Sequence, residues 1–594
     1  MEDFIYKIVS SKKNQRKVGF IVLGLLLFAV AMIPTKIVLA KMLPGKSANT
    51  FSIYVDTATN STIEQTREVS ECVLGIMRKE SAVENMEVFL GSGAPLDYAG
   101  LVKGSAFKSL KNQAEIVVNL TDKHTREEPS YMMVHRIRPI IQKKCENLYK
   151  GTKIKFVEMP SGPPTFATIV VNLYGKDSLL LRATSKTVEK ALKETEGLVD
   201  IDIMQDDVYT KYEIIPNVEK IISSNLSVEQ VSNILYMAFK GSVVATKNSV
   251  QQQDQIPIYV SLNEETRTLE SASKHDLELK LSRLKLLNRQ GIMVPIKEVI
   301  EIVPTVADPT IFKKNMKNMV SVTAECDLVS QVYPLMDARE KMIKLLERDF
   351  EVERLTGAST YMFDLALTHK ESGEKILVRW DGEMKVSLDT FRDLGGAFIS
   401  ALVLMFLLMV VYYKSFVLSG IVLIGSFLSI IGVIIGHYIS DIIFLHFITG
   451  VHFYLTATSL IGFISLMGIS ARSSLLLIDF TKSLIESGIE KHRAIAIATS
   501  TRAKPILLTA VAIILGSLLL ATDPIFGGLG IALIFGSMAS TAVSLFYIPV
   551  LMAKAEAICP SNGKVVCEEG EGLDEENLDV SNIAPEVHHG NPTK

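Results

Sequence analysis

One charged side chain stands inside an apolar run. Arg472 lies between Leu460 and Phe480, in the stretch Gly468-Ile-Ser-Ala-Arg-Ser-Ser-Leu-Leu-Leu-Ile-Asp-Phe480. A guanidinium near the centre of a membrane helix costs at least about 2.5 to 3.5 kcal/mol and is normally held against an anion or a wet cavity. Asp479 is seven residues on, nearly on the same helical face, but about 10 Å along the axis at 1.5 Å per residue. It is also close to the inner boundary of the run, and Asp523 lies at the outer boundary of another. No other acidic side chain occupies the core of an apolar segment here. The spacing therefore asks for a carboxylate from another polypeptide, unless Arg472 snorkels to the boundary. Hydroxyls surround the charge: Ser473 and Ser474 follow it directly, and Thr509, expected one turn into its own span after Pro505, is placed to hydrogen-bond to it. Gly432, Gly436, Gly527, Gly528 and Gly530 read as packing positions, because small residues let membrane helices approach closely.

The elements that must position these residues follow from how the apolar content is distributed. The chain has 594 residues, is 48% hydrophobic and carries 62 basic against 65 acidic side chains, a formal charge of -3. Its mean hydropathy is +0.28 and its pI about 6.4. Charged residues at 21% fall below the roughly 25% of an average soluble protein. The deficit is local: residues 18–40 and 393–553 are nearly unbroken apolar runs, whereas 41–392 has ordinary mixed composition. A near-neutral balance without a basic stripe gives no reason for nucleic-acid binding. Cys72, Cys145, Cys326, Cys559 and Cys567 form no CxxC and no Cys/His cluster, which excludes a disulfide-dense secreted scaffold and gives no metal motif. There is no P-loop, HExxH, GxSxG or dinucleotide turn, so neither catalysis nor a cofactor is called for.

A bilayer core of about 30 Å needs about 20 apolar residues as a helix. Six segments qualify: Val18 to Ala40, Gly395 to Tyr413, Phe416 to Gly436, Phe453 to Phe480, Pro505 to Ala521 and Ile525 to Ala553. The first, with its basic flank and Val38-Leu39-Ala40 ending, also suits a cleaved signal peptide; it is taken here as a retained anchor. Counting spans from the basic N-terminus places Lys414, the loop holding Lys482, Lys491, Arg493, Arg502 and Lys504, and Lys554 on one inner face. Both termini are then cytoplasmic and 41–392 lies outside. The polar segment Tyr438 to His452, with Asp441, His446 and His452, is expected as an interfacial helix on the outer side rather than a metal site. The tail 554–594, crowded with acids from Glu568 to Asp579, reads as disordered and cytoplasmic.

In the outer block the period alternates between two and 3.6. The Phe51 strand, the Glu64 to Arg78 helix, the Ala114 strand, the Tyr131 to Asn147 helix and the Lys153 strand suggest a β-α-β-β-α-β unit over 41–160. A second unit restarts after Pro160-Ser-Gly-Pro-Pro164 and occupies 161–205 and 313–392, interrupted by an insert at 206–312. The fold class expected is an α-helical polytopic membrane protein, six helices arranged one plus five, with a large extracytoplasmic α+β domain of two ferredoxin-like subdomains. Met132-Met133 and Met316/Met319 are read as packing rather than soft-metal ligands.

The order of these features resembles the C-terminal half of a resistance-nodulation-division (RND) efflux permease. The resemblance rests on Leu43-Pro44 with the Phe51 strand and Glu64-Gln-Thr66, Gly162-Pro-Pro with the Ile169 to Gly175 strand, and Trp380-Asp-Gly before Phe391-Arg-Asp-Leu. It continues in Thr456-Ala-Thr-Ser-Leu-Ile-Gly-Phe463, the Arg472 helix, Arg502-Ala-Lys-Pro-Ile-Leu-Leu-Thr509, Asp523-Pro-Ile-Phe and Phe546-Tyr-Ile-Pro-Val-Leu. It covers residues 1 to about 555. The resemblance implies a trimeric, multi-pass inner-membrane antiporter with a periplasmic porter domain, in which 206–312 is the docking subdomain and residues 1–17 a basic linker helix. It also implies a periplasmic adaptor and an outer-membrane channel as partners. The implied proton relay would draw on Arg472, Thr509, Ser473, Ser474 and Asp479. Arg472 stands where many members have Lys; since Arg keeps its proton, its role would be to hold a carboxylate ionised and re-pair when that acid is protonated.

One departure matters. The family's paired aspartates lie in the other half, on a helix absent from this sequence, so a second chain equivalent to the N-terminal half is expected, giving a pseudo-hexamer of halves. A SecD-like secretion accessory has the same one-plus-five plan but carries an intramembrane Asp where this chain has Arg472-Ser-Ser. A membrane-anchored receptor or scaffold that transports nothing is the other alternative.

Overall fold

A computed structural model describes residues 1–159, 162, 164–251, 255–263, 273–307, 309–355, 363–448 and 450–559. The acidic tail and most of the Pro160–Pro164 break lie outside the described residues. The described chain divides into two compact units, Gln205–Phe312 with Ala58–Asn60, and the rest.

The larger unit begins with the short helix α1 (Glu2–Val9) and α2 (Lys12–Ala31). The first apolar helix is thus shifted: it starts at Lys12 and stops at Ala31 instead of running from Val18 to Ala40. Pro34 has no N–H to continue the ladder, and Lys36 turns the chain at φ 61. A sandwich follows, built from β1 (Thr50–Asp56), α3 (Ile63–Met77), β2 (Val83–Leu90), β3 (Gln113–Leu120), α4 (Ser130–Cys145) and β4 (Lys153–Val157). Its antiparallel sheet has the order β2-β3-β1-β4. Alternate strand residues such as Ile53, Val55, Ile116 and Val118 meet Val69, Val73, Val134 and Ile137 from the two helices. Those helices are also joined covalently through Cys72–Cys145, a pairing that cysteine spacing did not reveal. Of the Met pairs, Met133 is core, whereas Met316 is 96% exposed at a φ 63 turn and packs against nothing.

The second sandwich comprises β5 (Ile169–Tyr174), α5 (Ser178–Lys193), β6 (Leu198–Met204), β7 (Lys317–Cys326), α6 (Val332–Leu346), β8 (Phe350–Arg354), β9 (Leu365–His369) and β10 (Lys375–Asp381). In its sheet β7 lies between β6 and β5, then come β10, β9 and β8. The other compact unit, which leaves after β6 and returns before β7, pairs Thr210–Pro216 with Ile300–Val306 and carries the hairpin Ser242–Lys247 with Ile256–Val260. Ile221, Val231, Leu281, Ile296 and Ile302 fill its own core.

The remaining helices are α7 (Glu383–Tyr413), α8 (Phe416–Phe427), α9 (Ile430–Ile443), α10 (Ala457–Glu486), α11 (Lys491–Ala521), α12 (Gly527–Ala542) and α13 (Ile548–Lys554). Taken as α2, α7, α8 with α9, α10, α11, and α12 with α13, six helical stretches among the described residues are long and apolar enough to cross a membrane. Two expectations need correction. The segment from Tyr438 is not a separate interfacial helix: α9 continues through it to Ile443 and a wide turn at Phe444–Ile448. Its polar residues are satisfied in place, Asp441 by the Phe453 N–H at 2.6 Å and His452 Nδ1 at 3.1 Å and His446 against the Ile442 carbonyl at 3.1 Å, while His437 just before it meets Ser459 Oγ at 2.8 Å. Likewise α11 does not start near Pro505. It starts at Lys491 and runs through the proline, so Thr509 sits eighteen residues into the helix, about five turns.

Local sequence explains the boundaries. Thr456 and Ser459 form a capping box that starts α10, and Ser415 caps α8. Close approach explains the glycines: a Cβ on Gly432 would collide with the Phe535 carbonyl, and one on Gly436 with the Phe535 ring. This is the small-residue packing by which α9 and α12 touch.

Candidate functional site

The site is built on α10. Its exposed positions Ile461, Ser465, Gly468, Arg472 and Leu476 recur every three or four residues and so form one stripe along the helix. Nothing comes within 4 Å of where a Gly468 Cβ would stand. Arg472 is exposed on this stripe, and among the described residues it makes no hydrogen bond or ion pair. The opposite side of α10 is packed: Ser470 Oγ donates to the Gly425 carbonyl at 3.3 Å, and Ser474 is fully buried beside Gly425.

The five sequence-predicted residues are therefore only partly brought together. Arg472 and Asp479 share a face, but Asp479 is taken by Tyr412 of α7, whose hydroxyl donates to it at 3.3 Å. Ser473 lies at the edge of the stripe and bonds to the Ile469 carbonyl at 3.4 Å. Ser474 faces the bundle interior, two residues and thus about 200° round the helix from Arg472, with its hydroxyl left without a partner. Thr509 is exposed on α11, and its hydroxyl returns to the Ile506 carbonyl of its own helix at 2.9 Å. Arg502 stacks over the Phe480 ring at 4.8 Å.

A second concentration of charge, which sequence reasoning missed, lies at the seam between the two sandwiches. Arg138 of α4 is buried and reaches Asp200 at 3.3 Å and Asp327 at 2.8 Å, both on the second sandwich. His135 Nδ1 lies 2.7 Å from Asp327, Lys103 lies 2.7 Å from Glu325, and Lys153 and Lys155 both hold Asp202. Asp200 owes its aim to a bulge: β6 slips register against β7 there, and Asp200 takes φ 52. Aspartate tolerates this left-handed backbone better than most residues. Its carboxylate then accepts from Gln142 Nε2 at 2.9 Å and from the Phe156 N–H at 3.0 Å across the seam.

Below the seam is a cavity of about 460 Å³ whose walls include Lys41, Arg138, Glu158, Glu325, Cys326 and His452. Burial pushes the Glu158 carboxyl up to about 7 although Arg138 pulls the other way. Burial also raises the Cys326 thiol, the one free cysteine among the described residues. Asp202 behaves oppositely: burial acts to raise it, but Lys155 and Lys153 outweigh that and hold it at about 2. No group of three or more His, Cys, Asp or Glu side chains that could hold a metal occurs among the described residues.

The family described as AcrB/AcrD/AcrF matches residues 2–556. Among curated relatives, the swarming motility protein SwrC of Bacillus subtilis is 23% identical over 92% of this chain and 46% of its own length. The cobalt-zinc-cadmium resistance protein CzcA of Cupriavidus metallidurans is 22% identical over 67% of this chain and 34% of its own length. The multidrug resistance protein MdtC of Proteus mirabilis is 21% identical over 65% and 34%. This chain thus spans less than half the length of each of these curated relatives. The crystal structure of a heavy metal efflux pump superposes with a TM-score of 0.68 at 17% identity, covering 93% of this chain and 51% of that one.

Proposed function

The chain belongs to the AcrB/AcrD/AcrF family, and from that membership we propose that it is a subunit of an RND-type, proton-driven efflux permease, equivalent to the C-terminal half. Arg472 carries the proposal. It is a permanent cation on an uncovered stripe of an intramembrane helix, with no acid beside it among the described residues. A second chain supplies the carboxylates that face it. In this mechanism Arg472 holds one carboxylate ionised; protonation of that acid releases the pair, and the change in contact moves α10 and the outer domain joined to the membrane helices. Ser473 and Asp479 on the helix of Arg472, and Thr509 on α11, are the polar groups assigned to that exchange, whereas the inward aim of Ser474 supports a packing role.

The seam is the element of the outer domain that opens and closes. Its ion pairs can be remade, while the two hydrophobic cores on either side stay intact. By the basic-loop count both termini face the cytoplasm and 41–392 the periplasm, where an adaptor and an outer-membrane channel complete the export route of a trimeric assembly.

The test is gentle purification from native membranes, then reconstitution with and without the copurifying polypeptide. Movement of a panel of cationic dyes and divalent metals is followed under an imposed proton gradient. A partner bearing intramembrane acids, required for gradient-dependent transport, is the expected result. Transport by this chain alone would overturn the two-chain reading, and export indifferent to the gradient would overturn the antiport.

A further inference from the structure

A separate apolar groove of about 450 Å³ lies where α1, α2, α9 and α12 meet. Ile431 forms part of its floor; Ala542, a small residue between bulky ones, leaves room, and Phe4 and Phe546 close one end with their rings edge to face at 6.3 Å. The groove opens sideways, since Phe4, Ile21 and Leu25 are 58%, 61% and 44% exposed. Ile21 and Leu25 belong to one row of α2 spaced every four residues, and the same row continues outward as Lys17 and Lys13. Between Lys7 and Lys17 the chain has five basic residues and no acidic one. An apolar slot in the membrane therefore runs directly into a cationic ladder at its boundary.

We propose that this groove is a binding site for an anionic phospholipid, one acyl chain lying along Leu25, Ile431 and Ala542 and the phosphate held by Lys13 and Lys17. Charge complementarity selects this occupant. Moving an acyl chain from bulk lipid into an apolar groove gains little, because the bilayer is as apolar as the groove. Selectivity must then come from the headgroup, where each basic side chain near the surface contributes about five-fold in affinity for anionic lipid. α1 closes the groove on one side while packing Ile5 and Val9 into the hydrophobic core of the helix bundle and pairing Glu2 with Arg493 at 3.4 Å. The lipid thereby becomes a wedge between α1 and the bundle. The proposal does not depend on transport.

The full chain is placed in nanodiscs containing equal amounts of phosphatidylglycerol and phosphatidylcholine, extracted, and its retained lipid measured by native mass spectrometry. Wild type is expected to retain phosphatidylglycerol at least ten-fold over phosphatidylcholine. K13Q/K17Q should lower that retention about twenty-fold with an unchanged melting temperature in detergent, and Ala542→Phe should lower it by blocking the slot while the cationic ladder remains. Equal retention of the two lipids by wild type, or full retention by K13Q/K17Q, overturns the site. Cross-linking from a photoreactive residue at position 25 to a polypeptide in place of lipid in native membranes also overturns it.

Discussion

Arg138 and Asp327 face each other at 2.8 Å across the seam, and the same guanidinium reaches Asp200 at 3.3 Å. Side-chain exposures of 6% for Arg138 and 1% for Asp200 bury that pair, while Asp327 keeps 20% exposure. Arg138→Ala leaves buried Asp200 without its cation and Asp327 with only His135; removing one partner of a buried pair costs about 3–5 kcal/mol. A calorimetric scan should show the outer domain melting earlier. Arg138→Ala combined with Asp327→Asn should cost less than the sum of the two single changes, because one deletion already removes the shared interaction.

Arg472→Ala should reduce gradient-driven export more than ten-fold while the complex still assembles, and Arg472→Lys should retain part of the activity because the positive charge survives. Both outcomes are read in proteoliposomes alongside size-exclusion profiles. Unchanged export by Arg472→Ala would remove this residue from the relay.

The seam should respond to pH in two opposed ways. Glu158 is raised from 4.5 to about 7, so the folded state binds the extra proton: its contribution is complete below about pH 4.5 and is lost as pH climbs through 7. Asp202, lowered to about 2, contributes fully above about pH 4 and loses that contribution as pH falls toward 2. Glu158→Gln should flatten the decline in melting temperature between pH 4.5 and 7 and leave the acid limb unaltered.

Cys72 and Cys145 close a loop of 73 residues between two helices of one sandwich. Replacing both by Ser should lower stability by about 2–4 kcal/mol, measured as the midpoint shift in chemical denaturation. The same change in reduced wild-type protein should be near zero.

Much of this organisation was legible because membrane and water impose different patterns. The six apolar helices could be counted from composition alone, and Arg472 stood out because a charge there has a known cost. Helix ends were less legible. Pro505 suggested a start, but a proline can sit inside a long helix, and the basic turns from Lys491 to Lys504 belong to the same rod. Asp441 and His452 made their segment look too polar to continue α9, and only their contact with each other and with the Phe453 N–H explains why it does. The seam was invisible for a different reason. Arg138, Asp200 and Asp327 are far apart in sequence, each alone resembles an ordinary surface charge, and the bulge that aims Asp200 arises from pairing between β6 and β7.

The bond between Cys72 and Cys145 also orders events in the life of the chain. Two helices separated by two strands can be joined only after the whole stretch between them has reached an oxidising compartment, and the first sandwich is locked once they are. In the topology proposed above, delivery of residues 41–392 across the membrane precedes that closure, and a closed copy cannot be threaded back. Thiol accessibility during synthesis would thus act as a clock for biogenesis, marking the moment at which the first sandwich is complete.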